Sequence, residues 1–288
     1  MSSAATATAD LKAIVASTEQ IASLPDVAAR IIQAAEDPRI NAFQIIKIVS
    51  HDPALVTRIL QVVNSSYYSV ATQVTSLERA ITLLGLNAVK DLAVASSMSG
   101  IFRGKDLCDG FGPRDLWSHS IAVAICSREL ARATKLPLAD EGYLVGMVHD
   151  IGLLVMHQKF PEKLKEICKK VQTTGRSICE LEREILGYDH AQLGSAVAER
   201  WKFAPAVRNA IEFHHNPSAA PEEHRPLASL VFIADTLCCQ AREGFYLTGQ
   251  NQGIDDTVTA AVPLTRDVIA KTQLELKEIV KMTAPFAA

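Results

Sequence analysis

Apolar residues recur along this chain at a spacing of three and four, the period of a helix packed on one side. Residues 76–85, "SLERAITLLG", set Leu77, Ala80, Ile81 and Leu84 on one stripe. Ser76 stands where an N-cap belongs and Gly85 where a left-handed stop belongs, and Asn87 is placed to cap the following helix. Upstream, "DPALVTRILQVVNSS" repeats the pattern, with Pro53 in the first turn and apolar residues at 55, 56, 59, 60 and 63. No run alternates with the period of two that marks a half-buried strand. The pattern therefore predicts an all-α protein.

The helices group into two lobes. Residues 11–102 read as a bundle of short helices, and the glycine- and charge-rich "RGKDLCDGFGPRD" at 103–115 reads as a boundary. The expected organisation is an N-terminal tail over 1–17, a helical lobe over 18–106, a second bundle over 107–243, and a C-terminal loop and helix over 244–288. That last segment opens as the polar-looking "GFYLTGQNQG" and ends in a helix near 264–282. In the N-terminal lobe, "SLERAITLLGLNAVKDLAVASSM" supplies two tightly linked apolar helices but no acid, base or nucleophile on their inner faces. The lobe is expected to serve recognition or regulation, and Asn64, Ser65 and Tyr67 of "NSSYY" are read as closing a helix.

The second lobe breaks its own apolar pattern repeatedly. "LVGMVHDIGLLVM" places His149 and Asp150 inside an otherwise greasy run, with His157 read further along the same helix. His119 shares a face with Ala122, Val123, Cys126 and Leu130, and His190 leads Leu193, Gly194, Val197 and Trp201. His214 and His215 end "PAVRNAIEFHH", and Asp235 sits among Val231, Ala234 and Cys238. Each histidine alone fits a hydrogen-bonded core residue. An unpaired buried carboxylate costs several kcal/mol, so Asp235 needs a stronger explanation. Five helices that each turn imidazole or carboxylate inward suit a borderline divalent cation, which takes both donor types. His51, His157 and His224 lie off these faces and are left outside the set.

Composition narrows the chemistry further. Hydrophobic residues make up 48% and the formal charge is −3, which argues against a nucleic-acid backbone as the main partner. No stretch reaches the roughly 20 apolar residues of a membrane span, and "MSSAATATADLKAIVAS" lacks the form of a secretory signal. The six cysteines, at 108, 126, 168, 179, 238 and 239, show no CxxC spacing and read as reduced core thiols of a cytoplasmic protein.

The ordered series His119, His149–Asp150, His190, His214–His215, Asp235 resembles the ligand series of the HD superfamily of metal-dependent phosphohydrolases. Over residues 18–243 the chain is more closely similar to an HDOD domain, the HD-related output domain of bacterial signalling proteins. The resemblance rests on "LPDVAARIIQAAEDP", "DPALVTRILQVVNSSYY" and "SLERAITLLGLNAVKDLAV" in the first lobe, and on "LWSHSIAVA", "GMVHDIG", "HAQLGSAVAERW" and "LVFIADTL" in the second.

That resemblance implies an HD-like bundle with a metal-type pocket in the second lobe. One divalent transition-metal ion would be held by His119, His149, Asp150 and Asp235. A second would share Asp150 with His190, His214 and His215. Iron, manganese, zinc and nickel are not distinguished by such ligands. The function implied is a cytoplasmic regulatory module with a signalling protein as partner. The alternative is a metal-dependent phosphohydrolase acting on a nucleotide, a phosphodiester or another phosphorylated small molecule, and a metal-free scaffold is a third reading. Enzymes that cleave cyclic dinucleotides continue the motif as HDIGK and add a glycine-rich GYP segment. Here Leu153 replaces the lysine and only "NPSAAPEEHRP" follows the paired histidines, which argues against cyclic-di-GMP hydrolysis.

Overall fold

The computed structural model describes residues 11–18, 21, 24–35, 39–65 and 70–281, so Tyr67 lies outside the described residues. Among these, the secondary structure is helical, and the sole β-type pairing is an isolated bridge between Cys108 and Phe111. No helix among them is long and apolar enough to cross a membrane. The chain divides into two compact units, one of residues 1–23 with 103–280 and the other of residues 24–102 with 281–288.

The second of these units is built on five helices: α2 (Asp26–Ala35), α3 (Ala42–Val49), α4 (Pro53–Val63), α5 (Leu77–Leu84) and α6 (Leu86–Met98); α1 (residues 11–16) belongs to the other unit. Local signals set the boundaries. Asn41 and Gln44 form a capping box at α3, Asp52 accepts from Leu55 N at 3.0 Å at α4, and Ser76 accepts from Arg79 N at α5. α6 is the hub, packed against α2, α4 and α5, with Val89, Leu92, Ala93 and Met98 buried. Asn87 does not cap it. α6 begins at Leu86, directly after Gly85, whose φ of 88° turns the chain between the two helices. Asn64 closes α4 and bridges to the following segment: Nδ2 donates to Leu60 O and Val74 O, and Oδ1 accepts from Val74 N at 2.7 Å.

The other unit surrounds the long helix α7 (Pro113–Ala133), which packs against α8 (Ala139–Val148) and, further along the chain, α14 (Arg225–Gln240). Between them run α9 (Ile151–Lys159), α10 (Pro161–Thr174), α11 (Ile178–Leu186), α12 (His190–Arg200) and α13 (Pro205–Glu212). α15 (Asp256–Ala260) and α16 (Arg266–Lys281) follow α14. The His149–Asp150 pair does not lie within one helix. α8 ends at Val148 and α9 starts at Ile151, with Asp150 at φ −96°, ψ 12° in the junction, so His157 lies in a different helix from the approach to the pair.

Glycines on both sides of the junction explain the packing. A Cβ at Gly146 would stand 2.6 Å from Ala124 Cα in α7, and one at Gly152 would stand 2.0 Å from the His190 carbonyl oxygen. Backbone therefore meets backbone on both sides of the pair. The segment after Arg242 departs from its polar appearance, because Phe245, Leu247, Thr248 and Gly249 are buried.

Candidate metal centre

α7 delivers His119, the α8–α9 junction His149 and Asp150, the first turn of α12 His190, the turn after α13 His214 and His215, and α14 Asp235. His190 is placed by a local device: Asp189 and Gln192 form a capping box that starts α12 at His190 itself. All seven residues anticipated from the sequence meet in one cluster. Six of them have no solvent exposure, while His215 is half-buried.

The cluster has two halves joined by one carboxylate. On one side Asp150 Oδ2 lies 3.3 Å from His149 Nε2 and 3.9 Å from His119 Nε2. Asp235 Oδ1 closes that half, 3.0 Å from His119 Nε2 and 3.8 Å from His149 Nε2. On the other side Asp150 Oδ1 lies 3.2 Å from His190 Nε2 and 3.6 Å from His214 Nε2. His215 Nε2 is 2.9 Å from His190 Nε2. His119, His149 and Asp150 offer donor atoms close enough to share one cation, as do Asp150, His190, His214 and His215, while Asp235 lies as close to His119 and Cys239.

The outer nitrogens are anchored. Nδ1 of His119 faces Glu243 O at 3.1 Å, that of His149 Gly146 O at 2.8 Å, and that of His214 Ile211 O at 2.6 Å. His190 Nδ1 lies 2.7 Å from Glu182 Oε2, which also accepts from His190 N. His215 Nδ1 faces the side chain of Gln252. Such outer contacts fix ring orientation and leave Nε2 free for a metal.

The sequence reading missed these supports. Glu182 is fully buried but sits in "ICELEREIL", where it looks like one more charge on an amphipathic helix. Gln252 belongs to the segment read as a polar tail, and Glu243 is the last residue of the stretch read as the second bundle. Gly244, at φ +59°, lets that segment cross α7, since a Cβ there would stand 2.2 Å from Asp115 O. Cys239, read as a core thiol, donates to Asp235 Oδ1 at 3.3 Å.

The inward atoms show what is missing from the balance. His149 Nε2, His214 Nε2, both oxygens of Asp150 and Asp235 Oδ2 are buried without a hydrogen-bond partner. Unpaired polar atoms of this kind are costly and rare in folded proteins. Two carboxylates among imidazoles are the donor set of a borderline divalent ion, so the residues fit a metal.

The protonation equilibria follow the same geometry. Burial opposes the charge on Asp150, yet His149, His190 and His214 hold its pKa well below the usual carboxylate range. Asp235 is lowered likewise, against burial, by His119. Burial disfavours charge on His149 and His190, but Asp150 raises the first, and Glu182 with Asp150 raises the second well above the ordinary value. Burial lowers His214, and burial with the neighbouring His214 lowers His215 strongly.

Comparison with known proteins agrees with the helical fold. An uncharacterized protein of Treponema pallidum (strain Nichols) is 29% identical over 218 residues, which are 75% of this chain and 42% of the relative. The chain thus spans about two fifths of that relative's length. The crystal structure of an HDOD domain protein with unknown function from Geobacter sulfurreducens superposes with a TM-score of 0.80 at 22% identity, covering 91% of this chain and 92% of that one. A Shewanella amazonensis SB2B protein, named provisionally as a phosphohydrolase, gives 0.74 at 24% identity over 95% and 98% of the two chains. At these identities the likeness is one of fold. The model of the HDOD domain family matches residues 21–217, most of the chain, and together with the helical architecture this shows that the protein belongs to the HDOD family.

Proposed function

We propose that this chain is a regulatory HDOD module that binds one or two divalent transition-metal ions in the His/Asp centre and passes its metal-dependent state to a protein partner. The observation that supports it is the set of orphaned inward atoms, above all both oxygens of Asp150, framed by imidazoles whose outer nitrogens are already engaged. His119, His149, Asp150 and Asp235 would hold one ion. Asp150, His190, His214 and His215 would hold another. A bound ion supplies the positive charge that both carboxylates lack and, where water reaches it, acidifies that water.

Burial favours regulation over turnover. Six of the seven donors have no solvent exposure, and of the seven His215 alone is half-buried and meets solvent. Leu153, at the lysine position of the HDIGK enzymes, is itself fully buried and offers no group to a substrate. The second reading, a phosphohydrolase acting on a nucleotide or phosphodiester, is favoured by one observation: all seven donors of the ligand series are present and lie in one cluster.

Elemental analysis of protein purified without chelator tests the first reading, with one or two ions per chain expected. A fresh preparation that neither contains metal nor takes up iron, manganese, zinc or nickel overturns it. Screening the loaded protein against bis(p-nitrophenyl) phosphate and a nucleotide panel separates the readings. Turnover that vanishes in Asp150→Asn would put hydrolysis ahead.

A further inference from the structure

His119, His149, His190 and His214 each aim Nδ1 at a group that can only accept: three backbone carbonyls and a carboxylate oxygen. In each neutral ring the proton is therefore on Nδ1, and the Nε2 lone pair is turned inward. His215 has no such unambiguous partner. Its Nδ1 faces the carboxamide of Gln252, which can present either an N–H or an oxygen. An N–H there forces the ring proton onto Nε2 and removes His215 from the ligand set. An oxygen draws the proton to Nδ1 and frees Nε2.

Thr236, one residue beyond Asp235 on α14, decides between them. The carboxamide stands with Nε2 toward His215 and Oε1 toward Thr236 Oγ1, 3.2 Å away. The Thr236 hydroxyl also lies 2.7 Å from Phe232 O. That orientation asks one hydroxyl proton to serve two acceptors. The carbonyl is nearer and can only accept, so it takes the proton, and the hydroxyl oxygen can only accept from the other side. A half-turn about the last torsion of Gln252 exchanges its nitrogen and oxygen and removes the conflict.

We infer that Gln252 is a positioning residue which makes His215 a metal ligand. Thr236 Oγ1 donates to Phe232 O and accepts from Gln252 Nε2. Gln252 Oε1 then accepts from His215 Nδ1–H, and the Nε2 lone pair faces Asp150 and His190 Nε2, 2.9 Å away, which carries the shared proton in the metal-free chain. Gln252 thus does for His215 what Glu182 does for His190, from a segment that starts beyond α14. The inference rests on the metal-binding reading, but its first test needs no metal.

A long-range proton–nitrogen correlation spectrum of the metal-free full chain reads each histidine tautomer, with His215 assigned by its loss in His215→Gln. The Nδ1–H form is expected, and the Nε2–H form overturns the inference. Equilibrium dialysis with zinc supplies the second test. Gln252→Leu, which keeps bulk but no acceptor, should weaken the ion held by Asp150, His190, His214 and His215 about 10–100-fold, while Gln252→Glu, which keeps the acceptor, should retain it. Unchanged binding in both variants, or equal loss in both, overturns it. A wild-type chain that binds no zinc or other divalent ion defeats the proposed function, whereas the tautomer measurement still judges Gln252.

Discussion

Asp150 offers its two carboxylate oxygens to two different groups of imidazoles, Oδ2 to His119 and His149 and Oδ1 to His190 and His214. Its loss is therefore felt in both halves. Asp150→Ala should abolish metal uptake and, by leaving buried imidazoles without their counter-charge, cost about 3–5 kcal/mol in urea unfolding. Stability within 0.5 kcal/mol of wild type, roughly a surface-change effect, would show that the carboxylate bears no such role. Acidity acts on the same atoms. His149 and His190 have raised pKa values, so each keeps its proton to higher pH than a free imidazole, and that proton competes with a metal at Nε2. In the metal-free protein their pairing stabilises the fold below the ordinary histidine pKa and is lost as pH rises through the raised values. Asp150, whose pKa is lowered, stabilises above the ordinary aspartate value and loses this as pH falls through its own. Metal affinity should consequently strengthen from pH 6 to pH 8, with protons released on binding. Calorimetry in buffers of different ionisation enthalpy reads both, and affinity that weakens with pH contradicts the assignment.

At the scale of elements, close backbone approach governs where the ligands stand. Gly152→Ala would drive a methyl group into the His190 carbonyl, so it should destabilise by about 1–3 kcal/mol or more and displace the start of α12. A melting temperature and metal content like those of the wild type would refute this packing argument. Glu182 makes a complementary case. Glu182→Leu should cost about 10–100-fold in metal affinity while Glu182→Gln keeps most of it, as metal titration would show. These contacts explain what was legible in the sequence. Ligands that interrupt an apolar stripe reveal themselves by polarity alone, whereas the capping box of Asp189 and Gln192 that places His190 emerged only with the structure. The break at Asp150 leaves no local trace, because it answers to His190 forty positions later in the chain. Glu182 and Gln252 are hidden for the opposite reason. They are polar residues in polar surroundings, and only the partners that fold against them reveal their burial or their role.

For the molecule as a whole, a metal that binds only the folded centre lends its binding energy to the fold. With free metal at about 1,000 times the Kd this amounts to about 4 kcal/mol, and at about 2–4 °C per kcal/mol chelation should lower the Tm of that unit by roughly 10 °C. Differential scanning calorimetry with and without chelator checks it, and identical transitions would detach metal from stability. The unit concerned is not continuous in sequence. Trp201 Nε1 donates to Ile21 O at 3.1 Å across 180 positions, and Lys12 pairs with Glu199 at 2.9 Å. Residues 11–21 are synthesised long before α12 exists, so Leu11, Val15 and Ile21, all buried in the finished fold, have nothing in that unit to cover them during translation. The first segment of the unit to leave the ribosome is thus among the last to find its place. A chaperone would meet this unit at residues 11–21, with three apolar side chains waiting for a helix not yet made.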